Sequence, residues 1–276
     1  MSSAKLTIGI LGLGQIGGSI AMRLSGTDSG LRILGHDIQP QIIASALELG
    51  IINASAGTTD SMIAESDIIV IALPVSDIIE VMKSHATALL AKIAVTDTGS
   101  VKGEIVALAE ELGLRNFVGA HPLTGTEKRG VGSWNRDLFA GKRFFVTANG
   151  ATDRKAIEHV EHIVQLLGTT PTSIDPIEHD RLVSLTSSLP YLLAYVLKAM
   201  LEKDAAPNDI KTSLCGPSFA SATRVAASEP EMVFQMLRHN KQNLSARLFE
   251  LQGMITEFQD LLDRERRTEF RHFFGC

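Results

Sequence analysis

Cysteine is almost missing from this sequence: Cys215 and Cys276 are the only two in 276 residues. They lie far apart and follow no metal-ligand spacing, so neither a disulfide framework nor a metal site is expected, and their use fits a reducing compartment. An excess of positive charge is missing too. Lys and Arg number 26 against 31 Asp and Glu, a net charge of −5, which argues against a nucleic-acid partner. The basic cluster Arg264-Glu-Arg-Arg267 is interrupted by an acid and reads as a solvated helix face. There is no internal repeat and no low-complexity linker. A clean membrane-spanning run is also lacking. The most apolar late stretch, Leu182 to Leu201, contains Ser, Thr, Pro190 and Lys198 and reads as a buried helix of a globular domain, so no membrane partner is expected. Lys5 before an apolar run imitates a signal peptide, but that run is needed as a strand, and cleavage would destroy the site it leads into. A cytoplasmic protein is expected. What remains is ordinary for a globular chain, 45% hydrophobic and 21% charged, and long enough for one large domain or two modest ones.

The informative stretch is Leu6-Thr-Ile-Gly-Ile-Leu-Gly-Leu-Gly-Gln-Ile-Gly-Gly-Ser19. Its apolar, β-branched start reads as a buried strand. Gly12-Leu13-Gly14-Gln15-Ile16-Gly17 follows directly and leads into a helix-compatible segment, the order of a dinucleotide-binding fingerprint. Gly12 permits a tight turn, Gly14 lets backbone approach a pyrophosphate, and Gly17 lets the helix pack closely on the strand. The helix N-terminus offers unpaired N–H groups and a positive dipole end to phosphates. A second strand, Leu31 to Asp37, ends in an acid about 20 residues after the last glycine, where a carboxylate binds the adenosine ribose hydroxyls. Asp37, with no arginine following it, points to NAD rather than NADP.

Strands and helices then alternate. Asp67 to Val75 and Ile93 to Asp97 are strands apolar on both faces, as a parallel sheet requires; Asn116 to Ala120 follows. Leu73 and Pro74, at the carboxyl end of one strand, and Gly99, after another, are expected to border the cofactor. Lys142 to Thr147 and Pro171 to Ile174 are further strands. From Ile177 onward the strand signal disappears and only helical segments remain. The expected fold is therefore α/β: an N-terminal Rossmann-type, doubly wound parallel sheet over 1–174, then an all-helical domain over 175–276.

Catalysis needs a base and a substrate clamp beside the cofactor. Most histidines look bland; His159, His162, His239 and His272 read as solvated. His121 differs because it ends a strand at the ligand edge and opens the loop His121-Pro-Leu-Thr-Gly-Thr-Glu-Lys128. Imidazole is the usual general base near neutral pH. Ser100 can orient that imidazole or a substrate hydroxyl, or cap the helix that follows.

These motifs resemble the prephenate and arogenate dehydrogenase family of tyrosine biosynthesis. The resemblance rests on the glycine loop, Asp97-Thr-Gly-Ser-Val-Lys102, and above all the His121 loop. Support comes from Glu178-His-Asp180, Ser187-Ser-Leu-Pro-Tyr191, Phe219-Ala-Ser-Ala-Thr-Arg224 and Glu229-Pro230. It implies a nicotinamide cofactor, NAD, and a helical domain that forms a homodimer and closes the cleft. It further implies that His121 pairs with the ring hydroxyl of the substrate with Ser100 beside it, that Arg224 clamps a carboxylate, and that Glu127 gates the site. The family commonly shows Ser-His-Leu-Pro-His where this chain has Ser188 and Tyr191, so both histidines are replaced. Where the family often has a basic residue followed by Asp, this chain has Ala220-Ser221. With no acid at Ser221 to pair an ammonium, prephenate is expected to be used at least as well as arogenate, although Glu127 or Asp180 could supply that acid. A β-hydroxyacid dehydrogenase would need a lysine on the first helix of the second domain, where Lys198 lies too late; a non-catalytic NAD sensor would make His121 and Arg224 incidental.

Overall fold

The computed structural model describes residues 6–27, 30–126, 128, 130–264 and 266–273. Its centre is an eight-stranded sheet in the order β3-β2-β1-β4-β5-β6-β7-β8. β1 (Thr7–Leu11), β2 (Arg32–His36), β3 (Ala54–Ser55), β4 (Ile68–Ile71), β5 (Ala94–Asp97) and β6 (Phe117–Pro122) pair in parallel. β1 and β4 are neighbours, so the strand order reverses direction between them, and the crevice beyond their carboxyl ends is where such sheets bind ligands.

The expected all-parallel sheet changes at its far edge. β7 (Phe144–Thr147) is antiparallel to β6, and β8 (Pro171–Ser173) is parallel to β7. The reason lies in the connection. Among the described residues the connection from β6 to β7 holds a single short 3-10 turn, Val131–Ser133, whereas a parallel return runs through a longer crossover, usually a helix. The chain doubles back, and the Leu123 N–H meets the Arg143 carbonyl at 2.9 Å.

β6 is shared between two partners. Phe117 and Val118 pair with β5, and Gly119 to Pro122 pair with β7. His121, expected just at the strand's end, lies inside the ladder opposite Phe145, and Pro122 opposite Phe144.

Helices cover both faces: α1 (Gln15–Ser25), α2 (Pro40–Glu48), α3 (Thr59–Glu65), α4 (Val75–Ser84), α5 (Ala86–Leu90), α6 (Gly103–Glu111) and α7 (Arg154–Leu166). Successive strand side chains point to opposite faces. Ile8, Ile10, Ile68 and Val70 pack with Ile20 and Leu24 of α1 and Val160 and Ile163 of α7. Leu11, Ile69 and Ile71 pack with Met62 of α3, Ile78 and Met82 of α4 and Ile105 of α6. A single helix over Ser76 to Leu90 was the expectation; it breaks at His85, whose φ of −118° and ψ of 16° leave the helical region.

Beyond β8 all elements are helical: α8 (Pro176–Val183), α9 (Leu189–Lys203), α10 (Asn208–Leu214), α11 (Pro217–Thr223), α12 (Pro230–His239), α13 (Lys241–Asp263) and α14 (Arg267–Phe273). A π turn, Ser184–Ser188, joins α8 to α9. Pro190 explains it: proline has no N–H to direct at the Thr186 carbonyl, and its ring would crowd that carbonyl in a regular turn. The expected single helix over Pro230 to Leu262 is interrupted at Asn240, with φ −119° and ψ 24°.

The chain forms two compact units, Met1–Asp180 with Ala227–His239, and Arg181–Ala226 with Asn240–Cys276. α12 belongs to the sheet unit because of its polar anchors. The Ser76 N–H donates to Gln235 Oε1 (3.1 Å), Ser76 Oγ meets His239 Nε2 (2.9 Å), and His239 Nδ1 meets Glu104 Oε2 (2.7 Å). His239 was expected to be solvated; its side chain is 10% exposed. The apolar stretch around Leu182 to Leu201 also departs from expectation. The run Pro176–Lys203 is long and apolar enough to cross a membrane by length and composition, and only 28% of its apolar window is buried. Leu185, Val196 and Met200 face outward.

Candidate active site

The glycine loop behaves as its spacing requires. Gly12 has φ of 85°, and a Cβ there would lie 2.5 Å from the Ala72 carbonyl oxygen. At Gly17 a Cβ would fall 1.9 Å from the Gly12 carbonyl oxygen and 2.9 Å from Ala72 Cβ. Gly14 is different: a Cβ would meet no protein atom within 4 Å, so packing within the chain does not demand glycine there. A cradle that must admit a ligand to the backbone does. Gly14 is also the N-cap of α1, which has no side-chain cap and no acid in its first turn, leaving its amides to an anion. Leu13 is buried in the core and Ile16 packs against it.

Asp37 is pre-positioned beside this loop. Its Oδ2 accepts the Leu13 N–H (2.8 Å) and its Oδ1 the Gln39 N–H (2.9 Å). Leu73 and Pro74 follow β4, with the Leu73 side chain close to Gly12. Gln15 spends its side chain on the His121 loop: Nε2 donates to Thr126 Oγ1 (2.6 Å) and Oε1 accepts the Thr126 N–H (2.7 Å). Trp134 was not singled out from the sequence. It is 8% exposed, and its indole N–H is shared by the Leu13 (2.9 Å) and Gly14 (3.1 Å) carbonyls, supporting the loop from beneath. Gly18 lies against the ring, because a Cβ there would fall 2.0 Å from its Nε1; a glycine next to the fingerprint was the available signal.

His121 is 8% exposed and held by groups from three elements. Ala120, before it, is fixed at both ends: its N–H donates to Asp97 Oδ1 (3.1 Å) and its carbonyl accepts Lys102 Nζ (2.9 Å). Lys102 and Asp97 form a fully buried ion pair. Burial pulls the Lys102 ammonium below its ordinary value, opposed by Asp97 beside it. The imidazole Nδ1 of His121 lies 2.9 Å from His179 Nε2, and His179 Nδ1 lies 2.8 Å from Asp180 Oδ1. Burial first, then the neighbouring His179 and the Lys102 charge, push His121 well below 6.5, so the neutral imidazole is favoured.

Asp97 also accepts the Gly99 N–H (2.7 Å), and a Cβ on Gly99 would fall 2.8 Å from that carboxylate. Ser100 follows, half-buried. It does not cap α6. Asp180 does, accepting the Lys102 (2.7 Å) and Gly103 (2.8 Å) N–H groups on its two oxygens. With His179 on the same carboxylate, Asp180 is committed and is not the ammonium partner considered from the sequence. His179 stands out in the sequence only within Glu178-His-Asp180; no spacing rule tells that it reaches His121 across 58 residues.

In the helical unit, Ser188 is buried in the π turn and its Oγ has no hydrogen-bond partner among the described residues. Tyr191 is half-exposed at the start of α9, and Arg224 is exposed where α11 passes into a 3-10 turn. Glu127 lies outside the described residues. No cluster of three metal-ligating side chains occurs among the described residues.

Residues 20–171 match the family model described as prephenate dehydrogenase, nucleotide-binding domain, and residues 175–276 that of prephenate dehydrogenase, dimerization domain. The chain belongs to the prephenate dehydrogenase family. The prephenate dehydrogenase of Bacillus subtilis (strain 168) is 30% identical over 277 residues, covering 99% of this chain and 75% of that protein. The cyclohexadienyl dehydrogenase of Zymomonas mobilis is 29% identical, over 84% of this chain and 80% of its own length. A crystal structure of Aquifex aeolicus prephenate dehydrogenase with hydroxyphenyl propionate and NAD+ superposes with a TM-score of 0.91 at 30% identity, covering 100% of this chain and 96% of that one. The nucleotide-binding match begins just after the glycine loop and takes in Asp37, Ser100 and His121, and the dimerization match takes in Ser188, Tyr191 and Arg224.

Proposed function

We infer that this chain catalyses the NAD-dependent oxidative decarboxylation of a cyclohexadienol, prephenate or arogenate, within tyrosine biosynthesis. The observation that carries the reading is a buried imidazole at the carboxyl edge of β6, its pKa pushed down by burial, in the same unit as a glycine cradle and a pre-positioned Asp37. NAD held there would supply the hydride acceptor for ring carbon C4. Asp37 would take the adenosine ribose hydroxyls, the α1 amides at Gly14 to Gly17 would face the pyrophosphate, and Leu73, Pro74 and Gly99 would border the cofactor.

His121 takes the C4 hydroxyl proton as the carbon becomes a ketone. The C1–carboxylate bond then breaks, its electron pair restores the aromatic ring, and the proton returns to the new phenolic oxygen. The chain supplies position and charge stabilisation, and aromatisation drives the step. Arg224 clamps a substrate carboxylate, for which a planar, always charged guanidinium is suited. Ser100, Ser188, Tyr191 and Glu127 complete the substrate contacts. Prephenate is used at least as well as arogenate, because Ser221 brings no charge and Asp180 is committed, which leaves Glu127 as the other acid able to pair an ammonium. Residues 1–174 serve the cofactor, and 175–276 serve substrate and a homodimer in the cytoplasm. A second copy accounts for the outward Leu185, Val196 and Met200, a face that would otherwise be wetted.

The test is NAD reduction with purified prephenate and arogenate, repeated with His121→Asn. Turnover of the wild type with either substrate is expected. His121→Asn should keep NAD affinity and lose about a hundred- to ten-thousandfold in kcat. No turnover with either substrate, or near-normal kcat in the variant, overturns the reading.

A further inference from the structure

We propose that His179 and Asp180 are positioning residues that set which ring nitrogen of His121 carries the proton, leaving Nε2 as the proton acceptor. The inference deepens the reading of His121 as general base and rests on it.

The logic runs from the one group whose role is fixed. An ionised carboxylate only accepts hydrogen bonds. Asp180 already accepts two main-chain N–H groups, from Lys102 and Gly103, at 2.7 and 2.8 Å. These amides can only donate, so Asp180 is anchored as an acceptor at the start of α6. His179 Nδ1, 2.8 Å from Asp180 Oδ1, must therefore carry a hydrogen. In neutral His179 that leaves Nε2 with a lone pair. Its neighbour at 2.9 Å is His121 Nδ1, which must then be the donor. A neutral imidazole has a single N–H, so the remaining nitrogen of His121, Nε2, is bare and basic. The assignment passes from carboxylate to base through two hydrogen bonds with no free choice along the way.

The surroundings hold this arrangement still. The two imidazoles meet edge to face, with centroids 5.1 Å apart and planes at 72°, and Phe145 lies against His179 at 5.9 Å. Both histidines are buried. The charged or titratable groups around them are Lys102 at the start of α6, Asp97 on β5, and Asp180 on α8. Lys102 and Asp97 fix the Ala120 peptide, and so the backbone that carries His121. If His179 instead took up a proton, its Nε2 would become a donor. His121 would then accept at Nδ1, carry its hydrogen on Nε2, and cease to be a base toward substrate.

The test uses the full chain with 15N-labelled histidine, together with steady-state kinetics of wild type, His179→Leu and His179→Gln. His121→Asn identifies the His121 resonances. Long-range nitrogen–proton correlations should place the wild-type His121 proton on Nδ1. His179→Leu keeps bulk but offers no acceptor. It should lose that preference and lower kcat at least about thirtyfold, less than the roughly hundred- to ten-thousandfold of removing the base itself, while KM changes less than threefold. His179→Gln can accept from His121 through its amide oxygen and donate to Asp180. It should restore the Nδ1–H form and most of kcat. A wild-type proton on Nε2, kcat within threefold in His179→Leu, or equal losses in both variants with the tautomer unchanged would each overturn the proposal. If the wild type turns over neither substrate, the functional reading fails, and the nitrogen spectra of wild type and His179→Gln still decide the tautomer.

Discussion

Replacing Lys102 by Met should destabilise the sheet unit by about 3 kcal/mol. The ammonium pairs with Asp97 and donates to the Ala120 carbonyl, and both side chains of the pair are wholly buried. Removing one partner of a buried pair costs about 3–5 kcal/mol, because the other charge is left uncompensated. Here Asp97 keeps two N–H donors, Gly99 and Ala120, which places the loss at the lower end. For a unit of this size about 3 kcal/mol corresponds to roughly 6–12 °C in Tm. Trp134 is the sole tryptophan of the chain and is buried on the glycine loop, so its fluorescence in a urea titration reports this unit directly. Adding Asp97→Asn should recover part of the loss, since an amide oxygen still accepts main-chain N–H groups without a charge. A loss under about 1 kcal/mol, or a double variant weaker than the single one, refutes the assignment of Lys102 as a charge partner.

Gly17→Ala should lower NAD affinity at least about tenfold by calorimetry, because the new Cβ would fall 1.9 Å from the Gly12 oxygen and push α1 off the loop; unchanged affinity would show that the loop yields. Asp37→Ser should move the ratio of kcat/KM for NAD over NADP toward NADP by roughly tenfold or more, as a carboxylate repels a 2′-phosphate; an unaltered ratio places selectivity elsewhere. Because the folded pKa of His121 lies below its unfolded 6.5, the unfolded chain takes up a proton first on acidification, so the stability this group contributes is present above pH 6.5 and lost as pH falls toward the folded value. Urea midpoints from pH 7.5 to 5 should show that slope, and His121→Asn should flatten it.

Much of this was legible because it is local. The glycine loop announces itself by spacing, and the alternating apolar strands by their period; Asp37 follows from chain distance alone. His121 was identifiable as a histidine at a ligand edge. What escaped was tertiary. The reversal of β7 depends on a connection without a helix, which composition does not reveal. His179 and Asp180 were visible as part of the Glu178-His-Asp180 motif, but their place beside β6 emerges only when the fold brings that helix there. Lys102, a wholly buried lysine, and Trp134, whose indole N–H serves two carbonyls, carry no periodic signature. His239 looked solvated because its partners, Ser76 and Glu104, come from distant helices.

The ownership of α8 has an architectural consequence. By sequence family the chain changes character between residues 171 and 175, yet the sheet unit runs on to Asp180. A recombination event at the family boundary would transplant the cofactor strands intact and leave behind the carboxylate that caps α6 and the imidazole that touches His121. The short segment Pro176–Asp180 is thus a graft tab. Any exchange of the helical part between relatives must carry a compatible Glu-His-Asp turn with it, so the helical region is free to diversify only beyond that point.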